Sequence, residues 1–216
     1  MPGSVPLDGQ APFGVVVLAA SAGGVRALRT VLGGLPRDFP VPVLVVQHRA
    51  AGTTDLLVPL LRAVTDLPVR AAAAGPLRAG VSVLPAGTTG LLEPGGDLIP
   101  VEHPNLGAAD RLMTSAARAY GRRVLAAVLT GRLDDGAAGV RAVRRAGGRV
   151  LAQDPADAEA PGMPSAALAT GCVEHVLPLR LVAPALVAYA MAPGAAELLA
   201  VPLPPWARLG AGALPA

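Results

Sequence analysis

The chain has 216 residues with 18 basic against 15 acidic side chains (net charge +3); 52% of the residues are hydrophobic, 15% charged and 2% aromatic. This is more apolar and less charged than an ordinary globular chain, which excludes disorder throughout, and so few rings exclude a platform for stacked nucleic-acid bases. Every basic residue is Arg, so a Schiff-base lysine, a pyridoxal-phosphate lysine and a P-loop lysine are excluded as well. The high isoelectric point follows from Arg without Lys and is a weak sign of nucleic-acid binding, because the net charge is small.

The expected organisation is one domain over residues 13–192, with a flexible tail at 1–12 and a Pro/Gly/Ala-rich tail at 193–216 that holds the single Trp, Trp206. The first tail has no basic residue ahead of an apolar run and does not read as a signal peptide. A continuous apolar run at 14–20 reads as a strand covered on both faces, followed by a helix at 24–32 and a second strand at 41–46. Thr53 and Thr54 are placed to cap a helix running through Leu61, with Asp55 in its first turn. A third strand is expected at 69–72. Between 80 and 101 short strand-like pieces (81–84, 91–93 and 98–101), joined by Gly-rich turns, read as a hairpin excursion. Alternation then resumes: helix 108–120, strand 124–129, helix 136–146, strand 148–152, helix 164–170, strand 173–176, helix 181–191. The last apolar stretch carries Pro184 and is too short to span a bilayer. The pattern predicts an α/β fold with a doubly wound, mostly parallel sheet, helices on both faces and an antiparallel hairpin excursion, in a soluble cytoplasmic protein with no membrane insertion.

In such sheets ligands bind at the carboxyl ends of the strands, and polar residues collect there in a chain otherwise poor in them. The first strand is followed by Ser21-Ala22-Gly23-Gly24, the second by Gln47-His48. The strand ending at Leu129 is followed by Thr130-Gly131-Arg132-Leu133-Asp134-Asp135-Gly136. Ser21 reads as a tight turn, as a phosphate site at a helix start, or as a nucleophile with an oxyanion pocket. The dinucleotide reading is weakened by the absence of G-x-G-x-x-G and of an acidic residue after the second strand. His48 is placed to act as a general base for Ser21. Asp134 and Asp135 both offer the carboxylate that orients an imidazole, and one of them could instead cap the following helix. His103 and His175 receive a structural reading, and no His pair has metal-ligand spacing, so no metal site is expected. Cys172 is the single cysteine, which excludes an internal disulfide and leaves packing as its expected role. Arg141, Arg144 and Arg145 share a helix face that reads as solvated or, alternatively, as a docking face for phosphate or an acidic partner.

These pieces together resemble the catalytic domain of the CheB-type protein-glutamate methylesterases over roughly residues 15–190. Ala20-Ser21-Ala22-Gly23-Gly24 is similar to the family's A-S-T-G-G, and Val45-Val46-Gln47-His48 to its V-x-Q-H. Residues 129–139 are similar to its L-T-G-M-G-x-D-G-x-x-G, and Gln153-Asp154, Gly162-Met163-Pro164 and Val176-Leu177-Pro178-Leu179 match later segments. The resemblance implies Ser21, His48 and Asp135, rather than Asp134, as catalytic residues, with Ala22, Gly23 and Arg132 around the oxyanion and substrate. It implies hydrolysis of glutamate γ-methyl esters on receptor proteins, sometimes glutamine deamidation, with no cofactor. The chain departs from the pattern at Ala22 (Thr in the family), at Arg132-Leu133 (Met-Gly), at Arg49-Ala50 (Met-Pro) and ahead of the middle helix, where only Asp110 of R-P-S-x-D remains. A Leu in place of Gly at 133 is expected to change the loop if φ is positive there. At this length, no receiver domain of the kind that family members often carry is expected. The altered rim keeps two other readings open: a hydrolase of a different ester or amide, and a non-catalytic member that binds a partner through its Arg-bearing face.

Overall fold

The computed structural model describes residues 12–49, 55–102 and 107–192; Thr53, Thr54, His103, Leu106 and the expected tails other than Pro12 lie outside them. In chain order the elements are β1 (Val15–Ala20), α1 (Gly24–Gly33), β2 (Val43–Gln47), α2 (Leu57–Arg62), β3 (Val69–Ala71), β4 (Gly75–Pro76), β5 (Val81–Val83), β6 (Thr88–Leu92), β7 (Asp97–Glu102), α3 (Ala108–Tyr120), β8 (Val124–Val128), α4 (Ala137–Arg145), β9 (Arg149–Gln153), α5 (Gly162–Ala169), β10 (His175–Leu177) and α6 (Leu179–Met191).

The main sheet has the order β10-β9-β8-β1-β2-β5-β3 and every pairing in it is parallel. All six side chains of β1 are buried, as an apolar strand in the middle of a two-faced sheet requires. Its residues alternate between two apolar layers. Val16, Leu18 and Ala20 join Leu28, Leu32, Leu61, Val182 and Leu186 of α1, α2 and α6. Val15, Val17 and Ala19 join Leu112, Met113, Val140, Val143 and Met163 of α3, α4 and α5. With 2% aromatic residues in the chain, these layers consist mainly of Ala, Val and Leu, whose small volumes let helix and sheet approach closely.

The antiparallel β6–β7 hairpin turns at Gly95-Gly96, where Gly96 has φ +88°, and β4 joins its outer edge. Here one expectation is corrected. The sequence reads 81–84 as the first piece of the hairpin excursion, but these residues form β5, a parallel strand of the main sheet between β2 and β3. All three residues of β5, Ser82 included, are buried, and so short a run carries no periodicity that separates a parallel strand from a hairpin arm. Asp55, expected inside the first turn of α2, lies just ahead of it and accepts the Leu57 N–H at 3.1 Å. The late strand expected at 173–176 is shifted to His175–Leu177, where His175 lies 6.0 Å from the Tyr189 ring.

The small sheet is pinned to α3 by buried hydroxyls. Thr89 donates to the Ala108 carbonyl at 2.6 Å, and Ser115 Oγ accepts the Leu92 N–H at 3.1 Å. Thr89→Val keeps the shape but removes this second hydrogen bond to the Ala108 carbonyl, and is expected to cost about 1 kcal/mol of stability, read as a lower urea midpoint with an unchanged slope.

Candidate active site

The chain leaves β1 toward β2 and leaves β8 toward β9, so the winding of the sheet reverses between β1 and β8. Such a reversal opens a crevice at the carboxyl ends of the two strands, and Ser21 stands in it. Its N–H donates to the Thr130 carbonyl at 2.9 Å, and its carbonyl accepts the Gly24 N–H and Gln47 Nε2, each at 2.8 Å. The turn after it needs Gly23, with φ +76°, where an added Cβ would come within 2.8 Å of the Glu159 side chain. The backbone of Ser21 is therefore held on both sides, while its Oγ makes no hydrogen bond among the described residues.

β2 brings His48 alongside: its N–H donates to the Ala20 carbonyl at 3.1 Å. Its Nε2 lies 2.6 Å from Oδ2 of Asp135, whose side chain is 2% exposed. Oδ2 of Asp135 also accepts the Ala109 N–H at 2.9 Å, and Oδ1 the Asp110 N–H at 3.0 Å. Burial alone raises the pKa of this carboxyl, but the hydrogen bond with His48 and those from the Ala109 and Asp110 N–H groups more than offset it and hold it below its ordinary value. Asp134 is exposed, so the carboxylate that meets the imidazole is Asp135. With Nε2 occupied, Nδ1 is the ring nitrogen left for a proton donor. No hydrogen bond joins Ser21 Oγ to His48 among the described residues.

The third wall is the loop after β8. Gly131 donates to the Ala160 carbonyl at 2.9 Å and accepts from the Met163 N–H at 2.8 Å. Thr130 Oγ1 donates to the Ala22 carbonyl at 2.9 Å and accepts the Ala160 N–H at 2.8 Å. These bonds join the Ser21 turn, the 130–131 turn and the start of α5. The roles of Thr130 and Ala160 were not legible in the sequence. A Cβ on Gly131 would overlap Met163 Sδ and come within 2.9 Å of Ser21 Cβ, so only Gly fits. The N–H groups of Ala22 and Arg132 meet no acceptor among the described residues, so each of the two loops bordering the crevice carries an unengaged donor. Leu133 adopts the left-handed conformation, φ +63°, although it is not Gly, and it is 58% exposed. A left-handed φ at a residue with a side chain carries a strain of about 1–2 kcal/mol.

An open cleft of about 710 Å³ runs from Ser21 along α1, lined by Gly23, Arg26, Arg29, Gln47 and Glu159 among others. Arg49, which stands where the resemblance expects Met, turns away from it. It donates to Asp55 at 2.6 Å and to the Leu84 carbonyl at 2.9 Å, bracing the start of α2. Among the described residues no three His, Cys, Asp or Glu side chains group closely enough to hold a metal ion.

A family profile described as CheB methylesterase matches residues 16–186. The chain belongs to that family. It is 42% identical over 196 residues to a protein-glutamate methylesterase/protein-glutamine glutaminase of Moorella thermoacetica, covering 84% of this chain and 46% of that one. It is 47% identical over 173 residues to a second protein of that name from Anaeromyxobacter dehalogenans, covering 76% of this chain and 50% of that one. The chain thus spans about half the length of the curated relatives it matches. The crystal structure of the Thermotoga maritima CheB methylesterase catalytic domain superposes with a TM-score of 0.74 at 29% identity, covering 81% of this chain and 97% of that one. The doubly wound sheet with its hairpin excursion is therefore the fold of this family's catalytic domain.

Two outcomes follow from this geometry. Leu133→Gly relieves the left-handed strain at an exposed position and is expected to raise stability by about 1 kcal/mol, or a few degrees in Tm by calorimetry. Asp135→Asn is expected to cost about 2 kcal/mol at neutral pH. Because the folded carboxyl titrates below its ordinary value of 3.8, its contribution is complete above that value and is lost as pH falls through the lower, folded value. The stability gap between wild type and Asp135→Asn, measured by urea unfolding, is therefore expected to narrow below about pH 4.

Proposed function

We propose that this domain is a serine hydrolase that cleaves glutamate γ-methyl esters on receptor-type proteins, with deamidation of glutamine as a second reaction of the same site. The observation that carries this reading is the buried Asp135 carboxylate at 2.6 Å from His48 Nε2, in the crevice where Ser21 presents an unengaged hydroxyl. The names of the relatives support the substrate class. No helix among the described residues is long and apolar enough to cross a membrane.

In this mechanism Ser21 Oγ attacks the ester carbonyl while His48 Nδ1 takes its proton. Asp135 holds the imidazole in one tautomer through Nε2–H and stabilises the cation as it forms. The developing oxyanion lies between the free N–H groups of Ala22 and Arg132, each worth ~3 kcal/mol in the barrier. Collapse of the tetrahedral intermediate breaks the bond to the methoxy oxygen, which takes the proton back from His48 and leaves as methanol. Water, deprotonated by the same imidazole, then cleaves the acyl-enzyme and restores Ser21. For glutamine the leaving group is ammonia. The Ala22 methyl group removes a hydroxyl from the crevice but leaves its backbone donor in place. The exposed Arg26 and Arg29 on α1 line the cleft that leads to Ser21.

A fluorophosphonate probe tests serine activation without knowledge of the natural substrate. Wild type is expected to be labelled at Ser21 and to release methanol from methylated receptor fragments, and Ser21→Ala to lose both. Labelling without methanol release points instead to another ester or amide. Absence of labelling in the folded wild type removes the hydrolase reading and favours a binding role.

A further inference from the structure

Asp110 stands in the first turn of α3, yet its carboxylate serves another helix. Its Oδ1 accepts the N–H groups of Gly136 at 3.0 Å and Gly139 at 2.7 Å, the residues on which α4 starts. Asp135, one residue before Gly136, does the reverse. Its two oxygens accept the Ala109 and Asp110 N–H groups, which are among the unpaired donors at the start of α3. Each aspartate thus holds the N-terminus of the helix that follows or carries the other. Neither helix is capped by the side chain of its own N-cap residue, which is Gly107 for α3 and Gly136 for α4, both with positive φ.

The exchange brings two carboxylates close together in a half-dry place. Burial and the Asp135 charge push the Asp110 carboxyl up, while the N–H groups of Gly139 and Gly136 pull it down. Backbone donors and the positive ends of two helices offset this only in part, and the Asp110 carboxyl stays above its ordinary value. The helices also approach closely: a Cβ on Gly139 would come within 2.6 Å of Met113 Cβ and 3.2 Å of Asp110 Cα. Asp135 is therefore located by α3 as much as by its own loop, and the register between the two helices decides where its Oδ2 meets His48.

We infer that Asp110 is a positioning residue for the proposed hydrolysis: by accepting the Gly136 and Gly139 N–H groups it locks α4 to α3 and keeps Asp135 Oδ2 on His48 Nε2 while the proton moves. The inference rests on the serine-hydrolase reading for its effect on turnover, but the brace itself has a readout of its own. Asn at 110 keeps an oxygen acceptor of the same reach and removes the charge, Ala removes the acceptor, and Glu keeps the charge but misplaces it.

The test uses the full chain and p-nitrophenyl acetate as a small ester, together with the downfield imidazole proton resonance of His48, assigned by its loss in His48→Gln. Asp110→Ala is expected to lower kcat at least tenfold with KM within twofold, and to broaden or lose the His48 resonance while circular dichroism stays that of the wild type. Asp110→Asn is expected within about threefold of wild-type kcat with the resonance retained. If Asp110→Ala does not fold, Asp110→Glu decides: impaired turnover and a disturbed resonance support the brace, wild-type values overturn it. Equal impairment of the Asn and Ala variants also overturns it, because charge and not the acceptor would then matter. A wild type with no turnover and no fluorophosphonate labelling defeats the hydrolase reading alone, and the His48 resonance across the variants still decides the brace.

Discussion

β1 is hydrogen-bonded to β2 on one side and to β8 on the other, and its six side chains are buried on both faces. A strand so enclosed cannot slide by one residue without exchanging Val16, Leu18 and Ala20 for Val15, Val17 and Ala19 between the two apolar layers. At ~1.5–3 kcal/mol per buried Val or Leu side chain, its position along the sheet is among the most strongly determined features of the molecule. The carboxyl end of β1 is therefore a fixed point. The Ser21 backbone hangs from it, the Ala20 carbonyl fixes His48, and the Thr130 carbonyl fixes the loop after β8.

Around that point the polar groups are arranged under a different constraint. In a chain only 15% charged, a buried carboxylate is costly unless it is paired or hydrogen-bonded. Asp135 meets this with the His48 ring and two helix N–H groups, Asp110 with two more. The arrangement uses helix N-termini as fixed positive ends, which need no lysine and little surface charge. At the other end of the strands Arg149 and Arg144 meet Glu174 at 2.6 and 3.5 Å. The Arg face of α4 is thus partly engaged within the fold, since Arg144 has this partner while Arg141 and Arg145 are exposed.

Much of the site is legible in the sequence because strand ends are legible: short β-branched runs locate Ser21, His48 and the Thr130–Gly136 loop at one edge. The choice between Asp134 and Asp135 is not settled by adjacency, since neighbouring residues on a turn point in different directions. Only the resemblance preferred Asp135, and the fold shows it buried against His48 with Asp134 in solvent. The strand at 81–83 escaped for the opposite reason: three residues, Val81-Ser82-Val83, define a strand but not its partners. Arg49 and Asp110 were read as departures from or remnants of a pattern. Their partners, Asp55 for one and the Gly136 and Gly139 N–H groups for the other, lie 6 and 26 or more residues away.

The sequence by itself determined the alternation of strands and helices, the two-faced sheet and the identity of the residues at its carboxyl edge, because hydrophobic periodicity and turn chemistry are local properties. Only the tertiary structure decided which carboxylate meets which nitrogen of His48, that Leu133 adopts a left-handed φ, and that two aspartates exchange helix ends. Those outcomes depend on how α3, α4 and the loop after β8 crowd against one another, and close packing at Gly131 and Gly139 is a property of residues distant in the chain. A strand's ends are written in its own residues, whereas the direction of a side chain beyond them is set by what the rest of the fold leaves room for.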